Sequence, residues 1–124
     1  MTPIRRFVRE PERLYASDLA MATKLKDRIL AADGTRVSRI ILFGSRARGD
    51  AKPDSDYDVL VILRDASRAE AREYRRRLYD ALRGLGATVE PWVMTAQEFE
   101  ETRSVIGGLA YPAWTEGVVL HPNA

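Results

Sequence analysis

Two seven-residue, mostly apolar stretches, Val37–Phe43 and Tyr57–Leu63, constrain this chain most, because each meets a polar cluster at one end. The first is rich in β-branched residues and runs straight into Gly44-Ser45-Arg46-Ala47-Arg48-Gly49. The second starts within Ser55-Asp56-Tyr57-Asp58. Runs of this length and composition read as strands. Residues two apart on a strand face the same side, roughly 6.5–7 Å from each other along the chain. Asp56 and Asp58 therefore aim at one point, and two such acids repel unless a cation lies between them. A neighbouring glycine-serine turn can bring backbone N–H groups close to a phosphate. The combination predicts a divalent metal site beside a phosphate-binding turn, and hence nucleotide chemistry.

The remaining pattern supplies helices to pack on those strands. Leu19, Ala22, Leu25, Ile29 and Ala32 recur at helical spacing over about 18–32, with Ser17 or Asp18 able to cap the start and Asp33-Gly34 to end it. Ser67-Arg68-Ala69-Glu70 is a capping box that opens a helix burying Ala71, Tyr74, Leu78, Ala81 and Leu82, closed by Gly84 and Gly86. Residues 88–94 form a third strand that Pro91 pushes toward an edge. A short helix follows from the cap at Thr95 to about Arg103, then another over about 105–114, then a strand at 117–120. Residues 1–13 are polar and proline-punctuated, and read as a flexible or partner-contacting arm. Strands alternating with helices in so short a chain predict a small α/β (α+β) mixed sheet with flanking helices in a single domain.

Rival motifs fail on specific residues. Gly44 and Gly49 have P-loop spacing, but Asp50-Ala51 replaces the lysine and hydroxyl that motif needs. Asp54, Asp56 and Asp58 imitate the start of a calcium loop, yet Val59 stands where its glycine must be. Ser45 lacks the nucleophile-elbow pattern, and the single histidine, His121, lies far along the chain in a surface position with no expected role. The absence of cysteine excludes disulfides and thiolate metal sites. No apolar run approaches the ~18–20 residues of a membrane span, and the N-terminus lacks a signal core. A cytoplasmic protein without membrane contact is expected. The net charge of +2 is nearly balanced, and no direct nucleic-acid binding is expected. Arg75-Arg76-Arg77 reads as a solvated face with Glu73 and Arg77 at pairing distance. Trp92, Tyr111 and Trp114 read as core packing.

An apolar strand into Gly44-Ser45, ten intervening residues, then Asp56-x-Asp58 entering a second apolar strand is an uncommon combination. It resembles the DNA polymerase beta-like nucleotidyltransferase superfamily, and more closely the minimal nucleotidyltransferase (MNT) domains paired with HEPN-domain toxins in prokaryotes. The resemblance spans nearly the whole chain, to Glu116-Gly117-Val118-Val119-Leu120. It implies a nucleotidyltransferase fold and one minimal domain over 1–124.

Phosphoryl chemistry then assigns roles. Charge built on oxygens around an α-phosphorus is screened by two Mg²⁺ ions, which prefer hard oxygen ligands. Asp56 and Asp58 are the expected ligands. Gly44, Ser45, Arg46 and Arg48 are the nucleotide-binding candidates. Arg46 and Arg48 point to different sides if the turn becomes helical, so one can reach phosphate and the other a partner or an acid of this chain. The family pattern favours Arg48 for the fixed role. The resemblance also implies a third catalytic and metal-binding carboxylate, falling at Glu90, where the family usually carries aspartate and Pro91 disturbs the strand. It further implies transfer of AMP from ATP to a hydroxyl, a tyrosine on the HEPN toxin, with the chain acting as antitoxin. A chain this short leaves no room for a module holding a different acceptor. Two alternatives stay open: an antitoxin that neutralises by binding alone, and a small-molecule nucleotidyltransferase.

Overall fold

The computed structural model describes Pro11 and residues 14–122, so the expected arm over 1–13 falls outside the described residues except at Pro11. The order is α1 (Ala16–Asp33), β1 (Val37–Phe43), α2 (Ser45–Arg48), β2 (Tyr57–Leu63), α3 (Arg68–Ala81), β3 (Val89–Thr95), α4 (Ala96–Thr102), α5 (Ala110–Glu116) and β4 (Val118–His121). Among the described residues the strands form one four-stranded sheet in the order β3-β2-β1-β4. β1 pairs antiparallel with β2 and β4. β2 and β3 are parallel, as their crossover through α3 requires. The expected mixed sheet is therefore present, and Pro91 does sit on an edge strand.

Both faces of the sheet are covered, which is why Ile40–Phe43 and Val59–Leu63 read as unbroken apolar runs within the two central strands. Ile40, Leu42, Val59 and Val61 turn to α1 and α3, meeting Leu25, Ile29, Ala71, Tyr74 and Leu78. Ile41, Phe43, Leu60 and Ile62 turn the other way, onto Phe99, Ala110, Ala113 and Trp114. Leu25 and Ile29 are fully buried, each contributing about 2–3 kcal/mol of transfer free energy. Trp114 is buried and meets Phe99 edge-on, in keeping with the core reading.

Local signals fix most element ends. Ser67 and Glu70 form a reciprocal capping box at the start of α3, and Thr95 and Glu98 do the same for α4. Three expectations need correction. No side chain caps α1: Tyr15 holds the cap position, and Asp18 is buried inside the helix. The last helix starts at Ala110, five residues later than expected, because Gly107 adopts φ +94° and Pro112 is tolerated only within a first turn. Glu73 pairs with Arg76 at 2.7 Å rather than with Arg77.

Two buried tyrosines couple the fold to alkaline pH. The Tyr74 hydroxyl donates to the Asp33 carbonyl at 2.6 Å, and burial pushes its pKa up to about 12. Burial and the bond to Asp18 also raise Tyr57 to about 12. A phenol held above its unfolded value of about 10 stabilises the fold below pH 10 and loses that contribution as pH rises toward 12. Stability followed by circular dichroism should fall between about pH 10 and 12. The fall should be shallower in Tyr74→Phe; an identical profile in that variant would rule out Tyr74 as a source.

Candidate active site

β1 and β2 end together at one corner of the sheet, where Phe43 pairs with Asp58. Asp56 is exposed just before β2, and Asp58 is half-buried as its second residue. At the end of β1 the chain turns on Gly44, with φ +77° and ψ −160°, a conformation that glycine alone adopts readily. A Cβ there would stand 2.7 Å from Asp58 Oδ2. The turn and the acid are thus pressed together by two independent requirements for glycine. Gly44→Ala should cost about 1–3 kcal/mol from the backbone alone and displace the Asp58 carboxylate as well. A denaturant midpoint unchanged from the wild type would contradict this.

Beyond Gly44 the backbone closes into one helical turn. The amides of Ala47 and Arg48 both donate to the Gly44 carbonyl at 3.0 Å, and those of Gly49 and Asp50 to the Ser45 carbonyl. Gly49, at φ +89°, ends it. The first amides of such a turn, on Ser45 and Arg46, have no acceptor within the helix and follow directly on Gly44, the residue pressed against Asp58.

The two arginines part company, as a helical turn demands. Arg46 donates to Asp18 Oδ1 at 3.2 Å, to the Ser55 carbonyl at 3.0 Å and to the Pro53 carbonyl at 3.2 Å. It also lies over the Tyr57 ring at 4.5 Å, on the side of β2 opposite Asp58. Asp18 is 3% exposed and accepts a 2.6 Å bond from the Tyr57 hydroxyl. Arg46 thus reaches a buried acid of its own chain and braces the loop leading to Asp56. Arg48 pairs with Asp50 at 3.2 Å and Glu116 at 3.5 Å, and its charge favours the ionised form of Asp58.

Glu90 lies in register with Asp58 across the parallel β2–β3 pair, so both side chains share one face. Burial raises the Asp58 pKa; Trp92 opposes this by hydrogen-bonding the carboxylate, while the charges of Asp56 and Glu90 push it up further. The expected acids are therefore electrostatic neighbours. Among the described residues, however, no three acidic or histidine side chains are gathered closely enough to hold an ion together. Glu90 Oε2 instead accepts from Arg75 Nη2 at 3.0 Å and from the Tyr79 hydroxyl. Arg75 is no member of a solvated face. It reaches around the sheet edge, donating to the Pro91 carbonyl at 2.7 Å and covering the Trp92 ring at 4.3 Å.

The sequence reading left Asp18, Arg75, Tyr79 and Trp92 without functional roles. Asp18 carried a signal: with Ala22, Leu25 and Ile29 it completes the buried stripe of α1. The α3 pair follows the same logic, since Arg75 and Tyr79 are one turn apart and flank the buried Tyr74 and Leu78.

Residues 22–111 match the sequence pattern of the nucleotidyltransferase domain family. The chain belongs to that family. The match covers most of the chain, including the Gly44-Ser45 turn, both aspartates and Glu90. Solved structures share the fold. A candidate nucleotidyltransferase from Sulfolobus solfataricus is 23% identical, with a TM-score of 0.52 over 66% of this chain and 70% of that one. A toxin–antitoxin solved with AMP-PNP is 23% identical, TM-score 0.52, over 79% of this chain and 71% of that one. A doubly Asp→Glu-substituted MntA–HpeT toxin–antitoxin is 21% identical, TM-score 0.51, with the same coverage. Curated proteins yield no match to the chain. Among the described residues, no helix is long and apolar enough to cross a membrane.

Proposed function

We propose that this nucleotidyltransferase is a cytoplasmic antitoxin that moves AMP from ATP to a tyrosine hydroxyl of a HEPN-type toxin, using Mg²⁺. The observation that carries the reading is the close approach of Gly44 to Asp58, which joins a phosphate-suited turn to an acid already in register with Glu90. Two fold relatives that are toxin–antitoxin proteins, one solved with AMP-PNP, support the partner class and the nucleotide.

The donor set fits Mg²⁺, because a half-buried carboxylate crowded by two like charges is what a hard cation relieves. Asp56 and Asp58 would hold it, and Glu90 would join as the third acid only by turning from Arg75 toward them. When bound, the ion screens charge on the phosphate oxygens. The chain's own groups do the rest. Ser45 and the free amides of the turn bind phosphate, Arg48 adds a positive charge on that side, and Glu90 accepts the proton of the incoming hydroxyl. Incubation with labelled ATP, Mg²⁺ and the HEPN-type neighbour should label the neighbour on tyrosine. Folded protein that leaves it unlabelled would count against transfer.

One observation favours a second reading. Glu90 is held by Arg75 and Tyr79, so a chain that binds its partner without turnover is the rival. Neutralisation that survives a combined Asp56→Asn and Asp58→Asn change would select it.

A further inference from the structure

The Tyr79 hydroxyl donates to Glu90 Oε2, the carboxylate assigned above as proton acceptor. Glu90 in turn lies in register with Asp58. A phenol of this chain thus stands where an incoming acceptor hydroxyl must place its proton. It is also accessible, at 43% exposed, and it is held in place: Arg75 donates to its oxygen at 3.1 Å and lies 5.6 Å from its ring. Arg75 is itself tied to the Pro91 carbonyl and to Glu90, so the three side chains form one bonded group that links α3 to the edge strand. Tyr15 is the contrasting case. It is 65% exposed, more than Tyr79, and its ring lies beside Gly49, where an added Cβ would stand 3.4 Å from it.

We propose that Tyr79 is a self-modification site, at which the chain places a nucleoside monophosphate on its own phenolic oxygen. The inference rests on the nucleotidyltransfer reading above. In the step, the Tyr79 oxygen bonds to the α-phosphorus of a nucleoside triphosphate. The bond from that phosphorus to the oxygen bridging the β-phosphate breaks, and pyrophosphate leaves with the electron pair. The phenolic proton passes to Glu90. No oxidant or reductant is involved, and the triphosphate supplied with Mg²⁺ is the only co-reactant. Transfer within one chain has a kinetic signature, because its rate constant does not depend on protein concentration.

The test uses the whole chain with ATP and Mg²⁺, without a partner. Intact-mass spectrometry should show a single adenylyl increment, and peptide mapping should place it on Tyr79. Its rate constant should be unchanged on tenfold dilution. Tyr79→Phe should lose the adduct and Tyr15→Phe should keep it. An adduct on Tyr15 or elsewhere, or one whose rate constant falls on dilution, overturns the proposal. Calorimetric titration of ATP with Mg²⁺ on the same sample separates the two levels. Binding that requires Asp58, with no adduct, overturns self-modification and leaves the proposed function standing. No binding at all removes both.

Discussion

Asp58→Asn is expected to reduce transfer by on the order of 10²–10³-fold or more while making the metal-free protein more stable. The opposite signs have one cause. Burial and the charges of Asp56 and Glu90 raise the pKa of Asp58, so at neutral pH its ionised form opposes folding. A carboxyl whose folded pKa is raised gains stability as pH falls toward that value, and the loss is fully present above it. Asparagine removes the charge but keeps an oxygen that can accept from Trp92. The metal-free variant should therefore melt at a higher temperature than the wild type. Mg²⁺ should reverse the order. An ion that binds the native state at a hundred times its dissociation constant adds about 2.7 kcal/mol, and the variant should miss most of it. Melting curves with and without Mg²⁺ check this. A variant no more stable than the wild type without metal, yet equally stabilised by Mg²⁺, would remove Asp58 from the ion site.

The corner that carries Asp58 was legible because its parts lie close in sequence. Val37–Phe43 and Tyr57–Leu63 are strands at the boundaries their composition predicts, since the stretches Ile40–Phe43 and Val59–Leu63, buried on both faces, are apolar throughout. Capping boxes at Ser67 and Thr95 fixed two helix starts for a similar reason, because the hydrogen bonds close within three residues. Residues with long-range partners were harder to read. Asp18 looks like a helix cap until Arg46 and Tyr57, far along the chain, claim its carboxylate. Arg75 looks solvated until the fold brings the Pro91 carbonyl and Trp92 beneath it. Local spacing specifies a turn or a cap, but a side chain that reaches across the sheet is specified only by the topology.

Arg46 tests that distinction with the largest expected effect on stability. Arg46→Met keeps apolar contact with Tyr57 but removes the guanidinium donors that reach Asp18 and the Pro53 and Ser55 carbonyls. Asp18, 3% exposed, would keep the bond from the Tyr57 hydroxyl but lose its cation. Breaking a buried ion pair from one side costs about 3–5 kcal/mol, because a charge is left without compensation. Adding Asp18→Asn to Arg46→Met should return much of the loss, with a coupling energy of about 0.5–3 kcal/mol from a double-mutant cycle in urea. Full additivity would show that the pair contributes nothing beyond its separate contacts. The same arginine acts on the site from a distance. It binds the Ser55 carbonyl, one residue before Asp56, so its loss frees the backbone that aims Asp56 at Asp58. Supporting contacts of this kind are worth about 10–100-fold in metal affinity. Arg46→Met with Asp18→Asn should therefore recover stability without recovering Mg²⁺ affinity, because asparagine at 18 restores nothing to the 53–55 loop. If Mg²⁺ affinity returns in step with stability, Arg46 serves the fold alone.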